Sequence, residues 1–379
     1  MLKILTLIGA RPQFIKAAAI SRAIQKSYSA KLEEVIVHSG QHYDANMSAI
    51  FFEDLAIPKP KYTFNLQATG HSAQTAQILN NLEDVLDIES PDAVLVYGDT
   101  NTTMAGALAA SKKHIPLIHV EAGLRSFNKA MPEEINRILT DHCSSLLFCP
   151  TQTAVANLVK ESIIHSKKPC SIDTPKVYAC GDIMYDNSLY FSKLADDSIL
   201  LKHNLVKNEF LLFTMHRPYN TDKPERLRSI CSMVLDLIEK HQLTVVFPIH
   251  PRTKKALQSH LNGDQLDAFT SNPLLKIIEP ASFLDMISLE MNCEMVLTDS
   301  GGVQKEAYFF EKPCLILRSE TEWVEIVNQG AATLVEADTT ILDTEYTRLR
   351  SENINFPHLF GEGNSAEFIC QTTHYLKDF

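Results

Sequence analysis

An excess of positive charge is missing from this chain. Its 35 Lys and Arg face 46 Asp and Glu, a formal net charge of −11, so a broad attraction to nucleic acid or to an anionic lipid surface is excluded, and any anionic ligand must be held by local cations. Long apolar runs are missing too. No stretch approaches the roughly 18 residues of a bilayer-crossing helix, and residues 1–8 give way to a polar helical pattern too soon for a secretory leader. A cytoplasmic protein that binds neither nucleic acid nor membrane is expected. The eight cysteines form no CxxC pair and no metal-ligand spacing, so they read as reduced packing thiols, with no metal site expected. The first strand leads into Gly9-Ala10-Arg11-Pro12, which is not the GxGxxG dinucleotide fingerprint; neither NAD nor any other cofactor is expected. Short-period repeats and low-complexity segments are absent.

What is present is apolar material in strand-length pieces. Of the 379 residues 45% are hydrophobic, more than one core usually organises, which indicates two domains. Runs at 4–8, 35–38, 93–97, 117–120, 146–149 and 177–179 alternate with helical patterns at 13–25, 74–86, 102–113 and 132–141. Nearly continuous hydrophobicity in the short runs is the pattern of parallel strands covered on both faces. A helical stretch from 182 to about 202 follows. Strand-like runs then resume at 210–215, 244–249, 275–278, 295–298 and 314–317. The pattern predicts an α/β chain of two Rossmann-like, doubly wound domains facing a central cleft. The expected divisions are 1–190, 191–364 and a last helix, 365–379, packing back across the junction.

In open parallel sheets ligands gather beyond the carboxyl ends of the strands, so the residues just after each strand are the functional candidates. In the first half these are Gly9-Ala10-Arg11-Pro12, Gly98-Asp99-Thr100-Asn101 and Glu121-Ala122-Gly123-Leu124-Arg125. In the second they are His216-Arg217, His250-Pro251-Arg252, Asp299-Ser300-Gly301-Gly302 and Arg318. One half offers carboxylates and the other cations and glycines. Ser300, Gly301 and Gly302 open a helix whose backbone N–H groups can approach a phosphate, with Glu306 further along it within reach of a ribose; a plain capped βα turn is the blander alternative. Arg11, His216, Arg217 and Arg318 are each compatible with a solvated surface charge, and their recurrence at strand ends favours neutralisation of a diphosphate. Asp99, Glu121, Glu133 and Glu134 suggest acid and base groups acting on a sugar. For Glu133 and Glu134, complementation of a helix dipole at Pro132 serves equally well, and for Asp99 a turn or cap role does.

With these motifs assembled, the chain resembles the non-hydrolysing UDP-N-acetylglucosamine 2-epimerase family. The likeness spans Gly9-Ala10-Arg11-Pro12 with Lys16, Gly98-Asp99-Thr100, Glu121-Ala122-Gly123-Leu124-Arg125, Pro132-Glu133-Glu134 with Asn136-Arg137, His216-Arg217, Thr298-Asp299-Ser300-Gly301-Gly302 and Glu306. Residues 11–16, 40–48, 126–128 and 180–182 look closest to the branch acting on UDP-2,3-diacetamido-2,3-dideoxy-glucuronic acid. The resemblance implies a glycosyltransferase-B type architecture, a homodimer and a role in surface polysaccharide or lipopolysaccharide O-antigen synthesis. It also implies elimination of UDP to a 2-acetamidoglycal, then re-addition with C2 protonated from the opposite face. Asp99, Glu121 and Glu133 become the acid/base candidates, and Lys16 supports them. His216, Arg11, Arg217, Ser300, Gly301, Gly302 and Arg318 fall to the leaving diphosphate, Glu306 to the ribose, and Ser282 to Met286 to the uracil. Tyr219 departs from the pattern, since many relatives carry Glu there. So does Gln41-His42-Tyr43-Asp44, where an acid replaces the second glutamine of an activator-binding stretch; neither it nor residues 67–71 supply the expected cation, and loss of that regulation is expected. The rival readings are a hydrolysing 2-epimerase that releases UDP, a UDP-sugar glycosyltransferase of the same fold, and an inert nucleotide-sugar sensor.

Overall fold

The computed structural model describes residues 1–41 and 58–376. The chain forms two compact units, Met1–Asn187 with His358–Phe379, and Ser188–Pro357. In the first, the apolar runs become β1 (Leu2–Ile8), β2 (Leu32–His38), β3 (Tyr62–Thr63), β4 (Ala93–Tyr97), β5 (Leu117–Val120), β6 (Leu146–Cys149) and β7 (Lys176–Ala179). They pair throughout in parallel, in the order β3-β2-β1-β4-β5-β6-β7. All residues of β4, β5 and β6 are buried, which is why they lack polar alternation. On one face Leu5, Leu7, Val94 and Val96 pack with Ile78, Leu82 and Leu86 of the helix His71–Glu89.

The second unit repeats the plan with β8 (Phe210–Thr214), β9 (Thr244–Pro248), β10 (Leu275–Ile278), β11 (Met295–Thr298), β12 (Cys314–Ile316) and β13 (Ala332–Leu334). The order is β10-β9-β8-β11-β12-β13, again all parallel. Phe213 and Phe247 meet at 4.3 Å between ring centroids, over Leu227, Ile230, Val234 and Leu237 of the helix Pro224–His241.

Strand order decides where a site can form. In the first unit the chain leaves β1 toward β2 on one side and runs from β4 toward β5 on the other, so a crevice opens between the carboxyl ends of β1 and β4. The same reversal occurs in the second unit between β8 and β11.

The expected helices form as Arg11–Ala23, His71–Glu89, Asn101–Lys112 and Pro132–Cys143, and the first runs on into a π-helical turn, Ile24–Tyr28. The single helix expected from 182 to about 202 is instead two, Ile183–Phe191 and Ser198–Lys202. Between them Asp196 Oδ1 accepts from the Ser198 N–H at 2.9 Å, a local side-chain bond that competes with helix propagation. Strands β3 and β13, at two and three residues, are too short to carry a periodic signal in the sequence. The last helix, Ser365–His374, packs on Arg11–Ala23, burying Ile369 and Cys370. Its start is fastened by Asp186, which accepts from the Ser365 and Ala366 N–H groups at 3.1 and 2.7 Å.

Candidate active site

At the first unit's switch point, Gly98 adopts a left-handed φ of +63°. This turns the chain sharply out of β4 and places Asp99 just before the helix that Thr100 caps by accepting from the Thr103 N–H. Asp99 Oδ2 takes Arg137 Nε at 2.9 Å and Nη2 at 2.6 Å, and its backbone carbonyl accepts from Asn136 Nδ2 at 2.9 Å. Burial raises the Asp99 pKa and the nearby Glu121 charge adds to this, against the pull of Arg137 and Lys16. Lys16, on the helix after β1, reaches across to Glu121 Oε2 in an ion pair with both side chains about a tenth exposed. Glu121 follows β5 in a left-handed conformation, φ +71°, an uncommon state for a residue with a side chain and one often found where a site holds a group in place. Lys16, Asp99, Glu121 and Arg137 thus form one cluster of alternating charge.

Glu133 is exposed on the first turn of Pro132–Cys143. Its neighbour Glu134 is 1% exposed. The Glu134 carboxylate accepts from the Ser126 and Phe127 N–H groups, both at 2.9 Å, and from Arg137 Nη1 at 2.8 Å. Burial opposes ionisation, yet these donors hold its pKa below the usual range. Glu134 therefore clamps the 126–127 loop and orients Arg137. Arg11 is exposed at the start of its helix. Beside it the fully buried Gln13 accepts from the Gly9 and Ala10 N–H groups and donates to the Tyr97 carbonyl, tying the β1 turn to β4.

In the second unit, Asp299 is wholly buried. It accepts from the His216 N–H at 3.1 Å, the Arg217 N–H at 2.9 Å and Asn220 Nδ2 at 3.0 Å. Its task is to join the turns after β8 and β11. Ser300 stands at the N-cap of Gly301–Phe309 without a side-chain capping bond, so the N–H groups of Gly301, Gly302 and Val303 are presented at a helix N-terminus. His216 is 42% exposed in its side chain, with Nδ1 3.5 Å from Asp299 Oδ1. Burial lowers its pKa, Asp299 opposes this, and Arg217 and Arg252 reinforce it. Arg318 is 8% exposed and pairs with Glu322 at 2.9 Å; burial works against the Glu322 charge, but Arg318 and Arg217 hold its pKa low. Met286 is half-buried on the helix Phe283–Asn292, which Ser282 caps. Glu306 is half-buried, and its charge adds to the burial that drives the pKa of Glu290 far up.

Several of these groups have no task legible in the sequence: Asn220, Glu290 and Glu322 stand in none of the matching motifs, and Gln13, Asn136 and Arg137 belong to matching motifs without a role. Glu290 alone left a signal, a carboxylate set between the apolar residues Leu289 and Met291. The activator expectation falls partly outside the described residues, since His42, Tyr43 and Asp44 lie there; Gln41 Oε1 accepts from the Thr102 N–H at 3.0 Å and from Thr102 Oγ1 at 2.7 Å. Among the described residues, no group of His, Cys, Asp and Glu is arranged to hold a metal ion, and no helix is long and apolar enough to cross a membrane.

Two doubly wound parallel sheets, one with a strand-end carboxylate–cation cluster and one with a glycine-opened helix, define a two-unit α/β protein with candidate groups at the carboxyl ends of both sheets. The family model described as UDP-N-acetylglucosamine 2-epimerase matches residues 23–374. The chain is 47% identical over 371 residues to UDP-2,3-diacetamido-2,3-dideoxy-D-glucuronate 2-epimerase of Pseudomonas aeruginosa, covering 98% of this chain and 99% of that one. It is 44% identical over 378 residues to a UDP-N-acetylglucosamine 2-epimerase homolog of Methanococcus maripaludis, covering 99% and 100%. The crystal structure of Methanocaldococcus jannaschii UDP-GlcNAc 2-epimerase in complex with UDP-GlcNAc and UDP superposes with a TM-score of 0.85 at 41% identity, covering 99% of this chain and 100% of that one. This chain belongs to the UDP-N-acetylglucosamine 2-epimerase family and is an epimerase, an isomerase.

Proposed function

We propose that the protein inverts C2 of a UDP-linked 2-acetamido sugar without net hydrolysis, and that its substrate is the 2,3-diacetamido uronic acid type. The observation that carries this reading is the cluster of Lys16, Glu121, Asp99 and Arg137: two carboxylates whose surroundings differ, one against a lysine and one against an arginine. Such a pair can divide the work of base and acid. In the forward step a carboxylate takes the C2 proton as the C1–O bond to the diphosphate breaks, leaving a C1=C2 double bond and UDP. In the return step UDP re-forms the C1–O bond while C2 takes a proton on the opposite face. Since C2–H is not next to a carbonyl, departure of the diphosphate must supply much of its acidity. That assigns electrostatic stabilisation of the leaving group to His216, Arg217, Arg318, Arg11, the Ser300 hydroxyl and the N–H groups of Gly301 and Gly302. Glu306 is assigned to the ribose and Met286 to the uracil, and Glu133 stands as a third acid/base group acting once substrate is bound. No metal or redox cofactor enters this scheme.

The relative in Pseudomonas aeruginosa supports the diacetamido branch at 47% identity. We place the reaction in the cytoplasm, in a homodimer, supplying a surface polysaccharide such as an O-antigen; Ile135 and Leu139, one turn apart and both more than a third exposed, favour an association surface on the helix Pro132–Cys143. The deciding experiment is turnover of UDP-acetamido sugars in D2O. The product should carry deuterium at C2 with UDP still attached. Product without solvent deuterium would eliminate the proton-transfer scheme, and accumulation of free UDP with free sugar would establish the hydrolysing reaction instead.

A further inference from the structure

We propose that His119 is a positioning residue for Asp99, held as a doubly donating imidazolium that fixes the peptide on which the Asp99 carboxylate is mounted. This rests on the acid/base reading of Asp99 given above. His119 lies in the middle of β5, a strand interior to the sheet, and is wholly buried. A polar ring at such a place has to be fully hydrogen-bonded. Nδ1 lies 2.7 Å from Asp141 Oδ1 and Nε2 lies 2.9 Å from the Gly98 carbonyl oxygen. A carbonyl oxygen only accepts, and so does an ionised carboxylate; Asp141 is held as one by the Arg125 guanidinium at 2.7 Å and the Gly123 N–H at 3.1 Å on its other oxygen. Both ring nitrogens must therefore donate.

The charges agree with this. Asp141 Oδ2 takes the Gly123 N–H at 3.1 Å and Arg125 Nη1 at 2.7 Å, while Arg125 Nη1 also donates to the Leu124 carbonyl and Nε and Nη2 donate to the two oxygens of Glu161, each at 2.7 Å. His142 Nε2 stands 3.5 Å from Glu161 at the exposed end of this chain, and at its buried end a doubly donating His119 ring meets two acceptors, the Asp141 carboxylate and the Gly98 carbonyl. This network touches both turns that carry the carboxylate candidates. Gly98 directly precedes Asp99, and Gly123 follows Glu121 by two. The Gly98 N–H is already tied to the Val120 carbonyl at 3.0 Å, so His119 secures the other side of the same residue. With Asn136 on the Asp99 carbonyl and Arg137 on its carboxylate, the turn is held at both carbonyls, at the Gly98 N–H and at the carboxylate.

Two substitutions separate positioning from simple support. The substitution His119→Gln can place an amide N–H where Nε2 stands, keeping the Gly98 bond and giving up Asp141. His119→Asn can place one where Nδ1 stands, keeping Asp141 and leaving the Gly98 carbonyl buried without a donor. Both should lower Tm. The Asn variant should lose kcat by about 10- to 100-fold, the scale of a misplaced catalytic group, with KM nearly unchanged, whereas the Gln variant should stay within about threefold of the parent. A folded Asn variant with normal kcat, or a Gln variant falling as far, would overturn the proposal. A readout on the unmodified protein stands beside this should a variant fail to fold: nitrogen-15 spectra of the histidine-labelled enzyme at neutral pH should show hydrogen on both His119 nitrogens, and a single neutral tautomer would overturn it equally. Asp99→Asn, assayed in parallel, tells the two readings apart. If it turns over normally, the acid/base reading fails and takes this proposal with it; if it is inactive while His119→Asn is normal, the positioning role alone fails.

Discussion

Asp99 and Glu134 are two carboxylates on one arginine, and their surroundings push them in opposite directions. Glu134 gains two backbone N–H donors and is stabilised as an anion, while Asp99, short of such donors, keeps a raised pKa despite Arg137. A group whose pKa is raised by folding is worse off ionised in the native state, so at pH values above its unfolded range its charge opposes stability. Removing that charge should not destabilise the fold, although the same charge is what the reaction uses. Asp99→Asn is therefore expected to show a Tm equal to or above the parent and a kcat lower by about 10²-fold, the usual scale for a lost acid or base. A calorimetric scan and a steady-state assay on one preparation check both halves. A fall in Tm would mean that Asp99 serves mainly as Arg137's structural partner.

At the scale of elements, the site depends on how sharply the chain leaves β4 and β5. After β5, Glu121 and Gly123 both take left-handed backbone, φ +71° and +79°, and the N–H groups of Glu121 and Ala122 both turn onto the Phe148 carbonyl at 3.0 Å. This hairpin-tight exit aims the Glu121 side chain at Lys16. Gly123 has no room for a side chain: a Cβ there would stand 2.4 Å from the Ala154 carbonyl oxygen. Backbone must then move, because that oxygen belongs to the main chain and not to a flexible side-chain end. Gly123→Ala should cost about 2 kcal/mol or more, combining left-handed strain with the clash, and urea denaturation followed by circular dichroism measures it. An unchanged midpoint would show that the Gln152–Lys160 helix shifts freely, and with it that the turn is not held as rigidly as its hydrogen bonds indicate.

At the scale of the whole molecule, the first unit is assembled from two distant parts of the chain. Residues 358–379 return to it after the second unit is complete. There the Asp182 N–H donates to the Phe360 carbonyl at 2.9 Å, Asp186 caps the final helix, and Phe360, Ile369 and Cys370 are buried. Burial of such side chains contributes about 1.5–3 kcal/mol for each large one, a sizeable fraction of a unit's net stability. A chain ending at Pro357 should show faster native-state hydrogen exchange in β1 and in the helix Arg11–Ala23, with β8 and β11 unaltered. Equal loss of protection in both units would mean that the final segment supports the whole molecule.

The sequence by itself determined the architecture, because continuous burial on both faces of a parallel strand leaves an uninterrupted apolar run. The stretches 93–97, 117–120, 146–149, 275–278 and 295–298 begin and end where the strands do. It also located the candidate turns, since the carboxyl ends of such strands are fixed by the fold class. It did not determine strand order, so it could not show that the turns after β1 and β4, and after β8 and β11, are the ones that lie at the two switch points. Nor could it tell Glu133 from Glu134, adjacent acids at a helix start: one is exposed and the other buried beneath a loop 7 to 8 residues upstream. Helical geometry rotates neighbours about 100° apart, and only packing against the rest of the unit decides which of two like side chains turns inward. The same holds for His119, Asp141 and Gln13, whose hydrogen-bond partners, apart from Gln13's own turn, lie 16 to 90 residues away and come into reach only when the sheet has closed.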